Sequence, residues 1–169
     1  DHAVRHDDLT GVLARRAFMR QGQRLLTRYG RETAGVAVLM LDIDHFKHVN
    51  DQYGHSAGDQ LLIGITQAMG TALRAQDALG RMGGEEFAVV LPEVSHAEAQ
   101  AIAERLRDAV ASQPFAVAPA GQTLHATVSI GLVHSASMSG EADIDTLLLA
   151  ADAALYRAKT EGRNRVLAG

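Results

Sequence analysis

An α/β fold is what this sequence predicts, and three observations carry the prediction. Residues 36–41 form an unbroken apolar run of strand length with no polar face, as a central strand covered on both sides requires. Gly83 and Gly84 make a turn ahead of a second apolar run at 87–91, the pattern of two strands joined by a hairpin. Four longer stretches carry apolar residues at helical spacing and supply the layers that would cover such a sheet. With 169 residues and 47% hydrophobic content, the chain has the size of one domain, residues 1–169, with a real core.

Taken in order, the chain opens polar, with Leu9-Thr10-Gly11 as a turn. Ala17, Phe18, Leu25 and Leu26 then recur at helical spacing, so a helix is expected from Arg15 to about Tyr29, stopped by Gly30. The 36–41 strand ends in Asp42-Ile43-Asp44. Alternation sends both acids to one face and Ile43 to the other, so the strand delivers carboxylate at its mouth. Carboxylates there suit a hard divalent cation such as magnesium, while Asp44 has a second reading as the cap of a turn beginning near His45, Phe46 and Lys47. Asn50, Asp51, His55 and Asp59 follow in a glycine-containing connection. They serve as turn residues and, for Asp59, as a cap; alternatively Asn50 and Asp59 match the donors and acceptors of a guanine base. His45, His48 and His55 lack the spacing of a zinc frame.

Leu61, Leu62, Ile65, Met69 and Leu73 mark a core-facing helix over 60–73. Arg74 and Asp77 behind it make either a local ion pair or, with Arg81, a fork for a second anionic ligand. Glu85 and Glu86 follow the two glycines. They are solvent-facing acids of a tight hairpin or the metal and phosphate end of a site. A helix over 95–113 is expected with Ser95 as N-cap and Glu98 closing the box. Residues 123–134 read as one strand, with the hydroxyls of Thr127 and Ser129 facing the sheet or supporting a turn. Ile144 to Thr160 is a second strongly amphipathic helix, Gly162 its stop, and 166–167 a short strand. Lys159 and Arg163 complement the dipole at that helix end or clamp a phosphate.

Composition removes several classes of function. Lys+Arg 16 against Asp+Glu 20 gives a formal charge of -4, which argues against a general nucleic-acid surface. The absence of cysteine excludes disulfides, zinc-thiolate sites and thiol nucleophiles, and makes the cytoplasm the expected setting. No apolar run approaches the roughly 18 residues needed to cross a bilayer. A first residue that is not Met is expected of the C-terminal output domain of a longer regulatory protein, whose parent could be membrane-anchored.

Five blocks, DDLTGVLARRAF, LDIDHFKHVNDQYGHSAGD, RAQDALGRMGGEEF, TVSIG and ADAALYRAKTEGRNRV, together resemble in order and spacing the GGDEF family of diguanylate cyclase domains, over about residues 7–167. The resemblance implies a palm-like α/β (α+β) fold of the nucleotidyl-cyclase kind, with a mainly antiparallel central sheet flanked by helices and a GGEEF β-hairpin. It implies that Asp42 and Glu85, with the Ile43 carbonyl, hold two Mg2+ or Mn2+ ions, and that Asn50 and Asp59 read guanine. Phe46 and Lys47 would meet the triphosphate, Lys159 and Arg163 would clamp its β- and γ-phosphates, and Gly83 and Gly84 would let the hairpin approach. Glu86 is a candidate base for the attacking 3'-hydroxyl. Arg74 and Asp77, with Arg81 and Arg105, match a product-inhibition site. The implied reaction joins two GTP into cyclic di-GMP and two pyrophosphates between two facing domains, a homodimer. The alternative is a silent receptor for GTP or cyclic di-GMP. Two positions depart from the family pattern, Ala14 in place of Asn and His45 in place of Phe.

Overall fold

The computed structural model describes residues 5–117, 121–140 and 142–169. Its organising element is β2, Val36–Ile43, buried at every position. β2 pairs antiparallel with β4 (Glu86–Pro92) on one side and with β7 (Val128–His134) on the other. β3 (Ala78–Gly83) is the other arm of the hairpin with β4, while β1 (Leu13–Ala14) and β8 (Val166–Ala168) add parallel edges. The six-stranded order is β1-β3-β4-β2-β7-β8, mainly antiparallel and flanked by helices, as expected. A separate ribbon pairs β5 (Phe115–Val117) with β6 (Gln122–Leu124).

The period-2 alternation of β2 divides the core. Ala37, Leu39, Leu41 and Ile43 pack with α3 (His55–Ala72) and α4 (His96–Ala111), whose Leu61, Ile65, Met69, Ile102 and Leu106 meet them. Val36, Val38 and Met40 face the opposite layer, where α1 (Arg15–Tyr29) brings Phe18 and Leu26 and α5 (Ile144–Thr160) brings Leu147, Ala151 and Leu155. Asp42 continues this second row past the end of the apolar run, which is why it points toward α5. Fully burying one such Leu, Ile or Phe contributes about 1.5–3 kcal/mol, so two filled faces hold β2 in register and its terminal acids in place.

Several boundaries fall where local chemistry places them. The capping box at the start of α4 is closed, with the Ser95 hydroxyl accepting from the Glu98 N–H and the Glu98 carboxylate accepting from the Ser95 N–H. α5 spans Ile144–Thr160, starting under an Asp143 cap. The Leu9-Thr10-Gly11 turn exists and is built by Asp7, whose carboxylate accepts from both the N–H and the hydroxyl of Thr10.

Other expectations are corrected. Asp44 is not a helix cap: α2 (Phe46–Tyr53) begins after His45, which is left-handed at φ 58 and makes no side-chain cap bond. Asp59 is not a cap either, since α3 starts at His55 and Asp59 lies in its second turn. The 123–134 strand divides into β6 and β7 because the backbone leaves the ladder between them. β2 runs two residues beyond its apolar stretch, since Asp42 keeps register partners on both sides and Ile43 keeps one on β7.

Candidate active site

The site lies at the C-terminal end of β2, where the β3–β4 hairpin and the end of α5 meet it. Asp42 is the register partner of Glu86 on β4 and of Ser129 on β7, and the Ile43 N–H donates to the Glu85 carbonyl at 3.3 Å. The hairpin glycines have positive φ, Gly83 at 157 and Gly84 at 50. No atom stands within 4 Å of a Cβ built on either, so the turn is an open ledge beside the acids.

Asp42 is buried, and its carboxylate accepts a hydrogen bond from the Lys159 ammonium, 117 positions along the chain. Burial pushes its pKa above the ordinary carboxylate value; Lys159 pulls the other way, and the neighbouring charges of Glu85 and Glu86 push it up again. Both hairpin acids thus act on Asp42 against the pull of the ammonium it binds. The donor set, two carboxylates and a backbone carbonyl, is all oxygen and fits a hard divalent cation. Among the described residues no three His, Cys, Asp or Glu side chains form a ready-made metal cage. A cation here would complete its shell from water and a bound phosphate, the usual habit of magnesium.

Next to the acids stands the start of α2. Phe46 buries its ring, so only its backbone can meet a ligand, and the uncapped first turn leaves N–H groups for an anion. Lys47 points away into solvent: its side chain is 89% exposed and its ammonium pairs with Asp51 at 3.0 Å. At the α2–α3 corner the Asn50 amide lies over Gly58, where a Cβ would sit 1.9 Å from its Oδ1. A glycine at 58 therefore lets Asn50 come down beside the exposed Asp59.

Beyond Lys159 the chain turns through three successive positive-φ residues, Gly162, Arg163 and Asn164. Asp44 holds this turn. Its carboxylate accepts from the Asn164 N–H at 3.0 Å, the Thr127 hydroxyl at 2.7 Å and the Ser129 hydroxyl at 2.7 Å. Ser129 is also Asp42's cross-strand partner, so the two acids share a side of the strand, as alternation predicts. Sequence reasoning did not find this cluster, because its members lie 83 to 120 positions apart.

The four residues of the expected inhibitory site divide into two places. Arg74 binds Asp77 through Nε and Nη2, and Nη2 also donates to the Pro92 carbonyl. Arg105 reaches the Ala72 carbonyl one turn away, beside the same corner. Arg81 stands instead at the hairpin end, where it pairs with Asp7 at 3.1 Å and donates to the Gly84 carbonyl. Burial raises the Asp7 pKa, but the Thr10 bonds and the Arg81 charge outweigh it and hold the group below its ordinary value. No helix among the described residues is long and apolar enough to cross a membrane.

This geometry has relatives. The family model for the diguanylate cyclase GGDEF domain matches residues 4–165. Diguanylate cyclase DgcM of Escherichia coli is 39% identical over 168 residues, covering 99% of this chain and 39% of DgcM. The response regulator PleD of Caulobacter vibrioides is 40% identical over 162 residues, covering 95% of this chain and 35% of PleD. The chain therefore spans about two-fifths of the length of these curated relatives. Among solved structures, the GGDEF domain of DgcB from Caulobacter crescentus, in complex with c-di-GMP, superposes with a TM-score of 0.88 at 31% identity. That match covers 99% of this chain and 97% of the DgcB domain. A family model covering nearly the whole chain, on a sheet whose hairpin glycines and acids lie against the β2 acids, leads to one conclusion: this chain belongs to the GGDEF family of diguanylate cyclase domains.

Proposed function

We propose that this domain condenses two GTP into cyclic di-GMP with release of two pyrophosphates, each half of the reaction being supplied by one of two facing copies. The observation that carries the reading is the meeting of Asp42, Glu85 and Glu86 at the mouth of β2 beneath Lys159. A buried Asp42 held beside two half-buried acids has a use when a dication and a polyphosphate complete the charge balance.

In this reading Asn50 and Asp59 hold the guanine edge, and the first N–H groups of α2 meet the phosphates. Lys159 and Arg163 clamp the β- and γ-phosphates and favour the departing pyrophosphate. Asp42, Glu85 and the Ile43 carbonyl would hold two divalent cations, Mg2+ or Mn2+, which when bound would supply charge stabilisation at the α-phosphate and greater acidity of the attacking hydroxyl. In this reading Glu86 is the candidate base that accepts the proton of the 3'-hydroxyl as its oxygen bonds to the α-phosphorus of the other GTP and the bond to pyrophosphate breaks. Since one copy presents one GTP, positioning two copies face to face is the larger part of the rate. Lys159 must exchange its bond to Asp42 for a phosphate when GTP binds. Lys47, paired with Asp51 in solvent, acts in this reading through its backbone or after release from that pair. Arg74, Asp77 and Arg105 form the contact for inhibitory cyclic di-GMP, and Arg81 acts separately at the hairpin.

Incubation with GTP and Mg2+ at high protein concentration, followed by chromatography, tests the reading. Cyclic di-GMP and pyrophosphate in a 1:2 ratio are expected. Tight GTP binding with no product would favour the silent receptor, and retention of full turnover by Glu85→Gln would remove the metal assignment.

A further inference from the structure

We infer that Asp44 is a positioning residue for the phosphate clamp, acting through the Asn164 amide on the Arg163 turn, and that it does so as a hydrogen-bond acceptor rather than as a charge. The inference rests on the reading of Arg163 as a phosphate ligand. Arg163 and Asn164 have φ of 64 and 46, the left-handed region that a residue with a Cβ enters only at an energetic cost. Asn tolerates it; Arg does so only when the surroundings dictate it.

The surroundings do dictate it. The Arg163 N–H donates to the Ala158 carbonyl at 2.9 Å, closing the end of α5. The Asn164 N–H donates to Asp44, and the Asn164 side-chain oxygen accepts from Arg107 of α4 at 2.9 Å. Immediately beyond, the Arg165 carbonyl accepts from the Ile130 N–H and starts the β7–β8 pairing. Of these, the bond to Asp44 ties the turn to the end of β2, the element that bears Asp42. Asp44 is itself held by the Ser129 hydroxyl of β7, by the Thr127 hydroxyl just before that strand, and by its own N–H, which donates to the Thr127 carbonyl at 2.9 Å. The acid thus fixes where the residue-163 side chain leaves the backbone relative to Asp42. It is 7% exposed, and three donors converge on it.

An acceptor role and a charge role differ under one substitution. In Asp44→Asn the amide oxygen can still accept from the Asn164 N–H and the Thr127 hydroxyl, while its NH2 donates to the Ser129 oxygen. Asp44→Ala loses all three bonds. The test measures KM and kcat for GTP in wild type, Asp44→Asn, Asp44→Ala, Arg163→Ala and the Asp44→Ala/Arg163→Ala double variant, at a temperature where each is folded by circular dichroism. Hydrogen exchange at the Asn164 amide is measured on the same proteins. Asp44→Ala should raise KM about tenfold, the upper end for one ordinary hydrogen bond, and speed exchange at Asn164. Asp44→Asn should stay within about threefold of wild type on both readouts. With Arg163 already removed, Asp44→Ala should add less than about twofold. The inference is overturned if Asn164 exchanges equally in wild type and Asp44→Ala, if Asp44→Asn is as impaired as Asp44→Ala, or if the two losses simply multiply. A wild-type domain that neither binds nor turns over GTP would defeat the functional reading and the clamp, while the exchange data would still decide whether Asp44 holds the turn.

Discussion

Gly131→Ala tests the packing that delivers Lys159 to Asp42. Gly131 lies on β7 under α5, and a Cβ there would fall 2.1 Å from the Ala151 carbonyl oxygen and 2.2 Å from the Leu155 nitrogen. Both obstacles are helix backbone and cannot rotate aside. Ordinary contact lies about 1.3 Å further out, so α5 must lift from the sheet along its buried row, Leu147, Ala151, Ala154 and Leu155. Overpacking of this kind costs about 1–3 kcal/mol, and with no flexible neighbour the upper end applies. For a domain of this size about 3 kcal/mol lowers Tm by roughly 6–12 °C. Gly70→Ala is the matched control. Gly70 is exposed on α3 with nothing within 4 Å of its Cβ position, so the same methyl should raise stability by about 0.5–1 kcal/mol through helix propensity. Thermal unfolding by calorimetry reads both. A Gly131→Ala protein melting within about 2 °C of wild type would refute the claim that α5 sits on β7 at this distance.

Three further predictions follow from the site. Asp42→Asn should abolish cyclic di-GMP formation yet melt no lower than wild type at neutral pH. The folded-state pKa of Asp42 is raised, so its ionised form costs stability that appears as pH rises through the ordinary carboxylate value and is complete above the folded one. The advantage of the Asn variant should therefore shrink as pH falls toward about 4, and a lower Tm at pH 7 would contradict the sign. Gly58→Ala should displace the Asn50 amide and raise the KM for GTP about five- to tenfold, with little change in Tm because Asn50 is partly exposed; an unchanged KM would remove Asn50 from the base site. Arg74→Ala should relieve inhibition by added cyclic di-GMP and lower Tm, because the Asp77 side chain has no solvent exposure and keeps only the residue-74 N–H; equal inhibition of the variant would defeat the assignment.

What the sequence made legible was local. Ser95 and Glu98 announce α4 because both partners of the capping box lie in one turn, and the apolar rows of α1 and α5 mark those helices because 3.6-residue spacing survives any tertiary context. β2 reads short because hydropathy ends at Leu41, whereas the hydrogen-bond ladder ends only at Ile43. β1 and β5, of two and three residues, are too brief to show any period. The site divides in the same way. Asp42 and the hairpin acids stand out within their own segments, but no spacing rule links Asp42 to Lys159, or Asp44 to Thr127, Ser129 and Asn164. Asp44 beside a helix start looks like a cap because Asp caps helices more often than it collects hydroxyls from a distant strand. Gly58 gave no signal because the need for a missing Cβ is visible only once Asn50 lies over it.

The two acids of the Asp42-Ile43-Asp44 segment show how one strand end divides its labour. Both are buried, both lie toward the α5 side, and both are bound by the segment that ends α5 and begins β8. Among the described residues Asp42 has one side-chain hydrogen-bond partner, Lys159, and the unfavourable company of Glu85 and Glu86, so its charge is undercompensated. Asp44 takes three donors from the protein, two hydroxyls and a backbone N–H. A carboxylate whose hydrogen bonds are complete has nothing to offer a ligand; one that is buried, crowded by like charge and held by a single exchangeable ammonium does. On charge and bonding, that contrast favours the proposed ligand-facing role for Asp42 and the proposed architectural one for Asp44. In the proposed reading the Lys159 bond and the Arg163 turn work as one unit: the first opens toward a phosphate while the second, tied to Asp44, keeps the end of α5 in place.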